Sequence, residues 1–188
     1  AAHMAYLVRW AAATDAFGGR CARAGPAGRG SASVRLVVVG LVATYARRPL
    51  DPAALMPVAS VGKMMTAVAL LREQDAGRID IGDPVHDHLP WLPLARPFGP
   101  ISVAHLLAHT AGIVAGMEGS PSPVAEALAL AATPPGWAPG ERASYSNVGY
   151  AVLGLVLERV GGCSYGEAIQ RHVLDPCGMT ASEPVTTA

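Results

Sequence analysis

The sequence predicts an α/β chain of the α+β kind, mostly helical, in which one or two strands precede a longer helical region. Three observations predict it. Of 188 residues 51% are hydrophobic but only 5% are aromatic, which suits a core of Ala, Val and Leu helices more than an aromatic-rich β-sandwich. β-branched and apolar residues concentrate in one early stretch, Val34 to Tyr45. Apolar runs of helical length then follow between Gly and Pro breakers, as in Met64 to Leu71 and Ala151 to Val160.

The elements follow in order. Residues 1–33 form a poorly defined N-terminal segment: Ala1-Ala2-His3-Met4 looks like a cloning scar, and Gly18 to Ser33 reads as a loop or linker. Residues 34–188 form the domain. Val34 to Val39 and Leu41 to Tyr45 read as strand, with Gly40 as a bend or bulge. Arg47, Arg48, Pro49, Asp51 and Pro52 make a turn into a helix that starts at Ser60 and ends at Gly77. Ile79 to His88 reads as acidic and extended, closed by Pro90. Ser102 caps a short helix to His109 that Gly112 stops, and Pro123 to Ala132 is another helix, followed by a loop from Pro134 to Gly140. After the apolar helix Ala151 to Val160, the capping box Ser164-Tyr165-Gly166-Glu167 opens the last, with Ala168, Ile169, Val173 and Leu174 on one face.

Charge excludes some partners. With 14 basic and 14 acidic residues and no run of either, no footprint for nucleic acid or an anionic membrane is visible. The longest apolar runs, Leu36 to Ala43 and Gly149 to Leu157, fall short of the roughly 18 to 20 residues that span a bilayer. Arg9 and Asp15 interrupt the apolar stretch Tyr6 to Ala16, so no secretory h-region is made out, which favours the cytoplasm unless a leader has been processed for periplasm or secretion. Cys21, Cys163 and Cys177 cannot all pair within one chain and have no redox or metal spacing, so they are read as reduced.

Two stretches carry candidate chemistry. Lys63, the only lysine, stands three residues after Ser60, one helical turn away on the same face, where its amine can reach the serine hydroxyl. The bland alternative makes Ser60 an N-cap and Lys63 a solvated charge. Lysine in a first turn opposes the helix dipole, however, and Met64, Met65, Ala67, Val68, Leu70 and Leu71 are residues of a buried helix. The second stretch, Ser144-Tyr145-Ser146-Asn147, crowds polar and aromatic groups ahead of the Ala151 helix. Either Ser146 or Asn147 caps that helix and Tyr145 packs, or Tyr145 carries a proton and Asn147 binds a carbonyl. A phenol titrates near about pH 10, so Tyr145 becomes a base only beside a cation, and Lys63 is the sole lysine to be that cation. His105 and His109, four apart, could serve a metal with His86 and His88. No glutamate follows His105 as a zinc-protease helix requires, so these imidazoles are read as packed or hydrogen-bonded and no metal site is predicted.

These motifs together resemble the serine β-lactamase and penicillin-binding protein superfamily, in its class C β-lactamase, D-alanyl-D-alanine carboxypeptidase and esterase branch. Ser60-Val61-Gly62-Lys63 is similar to Ser-x-x-Lys, and Tyr145-Ser146-Asn147 to Tyr-x-Asn. His105-Leu106-Leu107-Ala108-His109-Thr110-Ala111-Gly112-Ile113 resembles the family's His-Leu-Leu-x-His-Thr-x-Gly-Leu turn. Gly149-Tyr150 and Asp175-Pro176-Cys177-Gly178-Met179-Thr180 resemble its helix start and its Pro-Leu-Gly-Met segment. The resemblance implies a β-lactamase/transpeptidase-like fold with the helical region present and the antiparallel sheet incomplete. It also implies an acyl-enzyme mechanism on a small-molecule ester or β-lactam: Ser60 attacks, Lys63 and Tyr145 move its proton, Asn147 orients substrate, and no metal or organic cofactor takes part. One oxyanion donor would be the Ser60 backbone N–H.

The family's third motif, Lys-Thr-Gly or His-x-Gly on a strand, would supply the other donor, but the 41 residues after Asn147 contain no lysine, and their one histidine, His172, precedes Val173 and Leu174. Two readings follow besides an active esterase, β-lactamase-like enzyme or D-alanyl-D-alanine carboxypeptidase. The chain pairs with a second chain that completes the sheet, or it is a catalytically silent, truncated homologue that acts as a binding fragment.

Overall fold

The computed structural model describes residues 7–10, 56–94, 98–114 and 122–185. The predicted strands within 34–45, the 18–33 linker, the 47–52 turn and Cys21 lie outside them.

The helical region is assembled around α5, Asn147–Gly161, in which every residue from Val148 to Leu157 is buried. A helix that is apolar on all sides must be enclosed on all sides. Accordingly α1 (Gly62–Asp75), α2 (Val85–His88), α3 (Val103–Leu107), α4 (Pro123–Ala129) and α6 (Tyr165–Ile169) all contact it. Leu70, Leu106, Leu153, Leu157, Ile169 and Leu174 are among the fully buried side chains between them. Gly162, at φ 62°, ends α5 in the left-handed conformation that a Cβ would strain.

Helix α1 is turned inside out. Its buried face carries Lys63, Thr66 and Glu73 beside Ala69 and Leu70, while Met64, Val68 and Leu71, with Val61 just before the helix, are exposed on the other side. Each buried polar group is matched, as burial requires. The Thr66 hydroxyl donates to the Gly62 carbonyl at 3.2 Å and meets the Tyr165 hydroxyl at 2.9 Å. Burial pushes Tyr165 up to about 12, so its phenol keeps its proton there. Glu73 bonds His172 Nε2 at 2.5 Å through Oε1 and Arg78 Nε through Oε2. His172 belongs to a π-helical turn, Gln170–Leu174, that continues α6.

A small antiparallel sheet closes the described part, in the order β2-β1-β3: β2 is Met56–Pro57, β1 is Leu7–Trp10 and β3 is Ser182–Val185. The register pairs Trp10 with Met56 on one side and with Ser182 on the other. Pro57 and Pro184 fall on the two outer strands, the place in a sheet where proline is tolerated.

The structure corrects several boundaries. Leu7–Trp10 is the central strand, in a segment where composition gave no element, and Ser182–Val185 was not read as a strand. Helix α5 begins at Asn147 rather than Ala151, because Ser146 caps it by accepting from the Gly149 N–H. The stretch from 79 to 88, read as extended, ends in the helical turn Val85–His88. The helix after Ser102 stops at Leu107, and the run from Pro123 divides into α4 and a 3-10 turn, Leu130–Ala132. The Ser164–Glu167 capping box forms as its sequence requires, and Ala168, Ile169, Val173 and Leu174 are all buried. Cys163 and Cys177 are free thiols.

Candidate active site

Ser60 sits at a corner. Between β2 and α1 the chain passes through Ala59, whose φ of 47° is left-handed for a residue with a Cβ, a strain on the order of 1 kcal/mol. This turn leads into a 3-10 turn, Ala59–Val61, and then into α1, leaving Ser60 exposed just before the helix. The reading of Ser60 as N-cap is overturned. Val61 occupies that position with no side-chain cap, and the Ser60 hydroxyl is engaged elsewhere, 2.6 Å from the Tyr145 hydroxyl.

Lys63 is not solvated. It is 8% exposed, and its Nζ donates to Ser60 Oγ at 3.3 Å and to Asn147 Oδ1 at 2.7 Å. It also lies 4.8 Å from the Tyr145 ring centroid and 5.7 Å from that of Tyr150, within reach of both π faces. Because Asn147 accepts through Oδ1, its NH2 group remains to donate. The four residues singled out in the sequence, Ser60, Lys63, Tyr145 and Asn147, are thus brought together by the start of α1 and the start of α5.

Tyr145, 58% exposed, stands in an extended segment that needs holding. His109 holds it. Its carbonyl accepts from the Ser144 N–H at 2.8 Å, and its Nδ1 accepts from the Ser146 N–H at 3.1 Å, one bond on each side of Tyr145. Its ring lies against Tyr145 at 4.6 Å and Tyr150 at 5.0 Å between centroids. Tyr150 is itself fixed by donating to the Leu107 carbonyl at 3.0 Å, with its pKa raised by burial. Burial, and after it the positive charge of Lys63, lower the pKa of His109 and favour the neutral imidazole that can accept. The loop ahead is pinned by the Gly140 N–H on the Thr110 carbonyl. Gly112, at φ 78°, passes so near the Trp137 carbonyl that a Cβ would stand 2.4 Å from it.

Sequence reasoning read His109 as packed or hydrogen-bonded and as part of a motif, as it is here, but did not name its partners. The spacing of four from His105 does not put the two rings on one helix face, because α3 ends at Leu107 and His109 is left-handed at φ 57°. Two other imidazoles are occupied as well: His105 Nδ1 accepts from the Ser102 N–H and completes the α3 capping box, and His88 Nε2 lies 3.2 Å from Asp83 Oδ2, whereas His86 Nδ1 is buried without a hydrogen-bond partner among the described residues. Among the described residues no group of three or more His, Cys, Asp or Glu could hold a metal ion.

Chemically, the arrangement places a hydroxyl between a phenol and an amine. A short O–O contact lets one proton move between Ser60 and Tyr145, and a positive charge on Lys63, 3.3 Å from the serine oxygen and over the tyrosine ring, favours negative charge on this pair.

The family model described as Beta-lactamase matches residues 20–183. Among curated proteins, the chain is 28% identical over 137 residues to the putative penicillin-binding protein PbpX of Bacillus subtilis, covering 69% of this chain and 33% of that protein. It is 30% identical over 174 residues to the esterase EstB of Burkholderia gladioli, covering 77% and 43%. Among solved structures, the octameric penicillin-binding protein homologue from Pyrococcus abyssi superposes with a TM-score of 0.60 at 35% identity, over 72% of this chain and 34% of that one. The chain therefore spans about a third of the length of PbpX and less than half that of EstB.

Proposed function

The chain belongs to the β-lactamase family, and from that premise we propose that it is a serine hydrolase that forms an acyl-enzyme at Ser60 with an ester or a β-lactam. The observation that carries this reading is the position of Ser60 Oγ, 2.6 Å from the Tyr145 hydroxyl and 3.3 Å from Lys63 Nζ. In the proposed first step the Ser60 oxygen attacks the substrate carbonyl as its proton passes to the base of the pair, either Tyr145 as the phenolate that the Lys63 ammonium favours or Lys63 as the free amine. The same proton is then returned to the leaving alkoxide, or to the lactam nitrogen, as the C–O or C–N bond breaks. Water attacks the resulting ester by the reverse relay, releasing a carboxylic acid and restoring the Ser60 hydroxyl. Asn147, whose Oδ1 is held by Lys63, offers its amide N–H to a carbonyl of the substrate. Similarity to both a penicillin-binding protein and an esterase supports the two substrate classes equally.

Acylation without efficient turnover is expected of the 188-residue chain. The third motif that would bring the second oxyanion donor is absent from this sequence, and loss of one such donor costs about 100- to 1000-fold. A nitrophenyl ester and a fluorescent penicillin, each run beside Ser60→Ala, separate labelling from turnover. Stoichiometric, Ser60-dependent labelling with slow release is the expected result. Fast Ser60-dependent turnover by a monomer would show that the oxyanion site is complete within this chain, and no labelling by either probe would remove the serine-hydrolase reading.

A further inference from the structure

We propose that neutral His109 is the positioning residue that aims Tyr145 at Ser60, so that protonating His109 uncouples the proton relay; this rests on the function proposed above. The geometry is that of a clamp. One residue grips the chain on both sides of Tyr145, through its carbonyl to the Ser144 N–H and through Nδ1 to the Ser146 N–H, while its ring backs the Tyr145 ring. Tyr145 needs such a clamp, because it is more than half exposed and stands in an extended segment just ahead of α5. The grip at Ser146 also sets the α5 N-cap, and so places Asn147, the residue that accepts from Lys63.

The clamp has a chemical condition. Nδ1 must present a lone pair to the Ser146 N–H, which the imidazolium cannot do because both its nitrogens carry hydrogen. The titratable groups that face His109 are Tyr145, Tyr150 and Lys63, of which Lys63 is the cation that opposes an imidazolium. Burial and the lysine charge both resist protonation, so the clamp holds at neutral pH and opens only as pH falls below the ordinary histidine value of 6.5. A displacement on the order of 1 Å at Tyr145 is enough to cost about 100-fold in rate.

The left-handed φ of His109 decides which variants test this. Asparagine tolerates φ near 57° and offers an acceptor at a similar distance from the backbone, whereas glycine tolerates the same φ and offers none. His109→Gly is expected to slow acylation of Ser60 by the nitrophenyl ester about 100-fold with little change in KM, and His109→Asn to recover most of it. The rate of the unaltered chain should fall on the acid side with His109 protonation, and His109→Asn should lack that limb. A second readout needs no activity: with 13C-labelled tyrosine, the Tyr145 resonance, assigned by Tyr145→Phe, should shift as His109 titrates and cease to do so in His109→Asn. Equal acylation rates and acid limbs in all three proteins, or a Tyr145 resonance indifferent to His109, would overturn the proposal. A chain that Ser60→Ala shows to be inactive leaves the tyrosine resonance as the deciding measurement.

Discussion

Lys63→Met is expected to lower acylation of Ser60 by about 1000-fold or more while leaving the chain folded, since general acid–base groups of this kind contribute about 100- to 10,000-fold and this one also holds Asn147. Methionine matches the length of the lysine stem and suits a site only 8% exposed, so packing is retained. The loss to stability is the donor to the partly buried Asn147 Oδ1, about 1 to 3 kcal/mol, together with the longer bond to the exposed Ser60, whose hydroxyl keeps Tyr145 as partner, offset by the charge that no longer has to be buried. Thermal melts and ester acylation measured on the same preparation check both halves. A variant that fails to fold would make Lys63 a structural ion rather than a proton carrier, and one that acylates at the original rate would take it out of the relay.

The second large effect lies one side of the helix further on. Glu73→Ala is expected to cost about 1.5 to 3 kcal/mol, the range for a hydrogen bond to a charged group, because the Arg78 left behind is half exposed and can be rehydrated; that is still a large share of the stability of an ordinary domain. Glu73 is fully buried and ties α1 to the π-helical turn through His172 and to the chain after α1 through Arg78. Its carboxyl is held below the ordinary range, first by the hydrogen bond from Arg78, with burial opposing and the His172 bond assisting. A lowered carboxylate pKa means that the unfolded chain binds the proton more readily. The contribution is therefore complete above about pH 4.5 and is lost as pH falls through the lower, folded value. Denaturant titrations at a series of pH values check the sign: stability of the unaltered chain should drop faster with acid below this point than that of Glu73→Ala. Parallel curves would mean that Glu73 titrates alike in both states.

How much of this was legible depended on whether the signal was local. Ser60 and Lys63 are one turn apart, so their convergence follows from helix geometry, and the Ser164–Glu167 capping box is likewise written in four consecutive residues. Tyr145 and Asn147 were reachable because the only lysine needed a partner and because the motif pair matched a family. The clamp by His109 was not reachable, since it joins positions 37 residues apart through a left-handed residue that no periodicity marks. Leu7–Trp10 was missed for a related reason: four residues have little propensity signal, and the strand exists only through partners at 56–57 and 182–185. Helix α1 was legible as a buried helix, yet which face turns inward could not be read, because apolar residues occupy both.

That inverted helix has a kinetic consequence. The polar groups on its inner face find their partners far along the chain, Lys63 at Asn147, Thr66 at Tyr165 and Glu73 at His172, separations of 84, 99 and 99 residues. Until those partners are in place, docking α1 would strip water from an amine, a hydroxyl and a carboxylate with nothing to replace it. The contacts of α3, α4 and α6 with α5 span shorter loops and rest mainly on apolar side chains, so they can form first. Among the helices, α1 is thus expected to join last, and its buried amides to be the last helical amides to gain protection in pulsed hydrogen exchange. During synthesis it emerges well before α5 and α6, and it must wait, apolar stripe outward, until residues as far as 172 have been made.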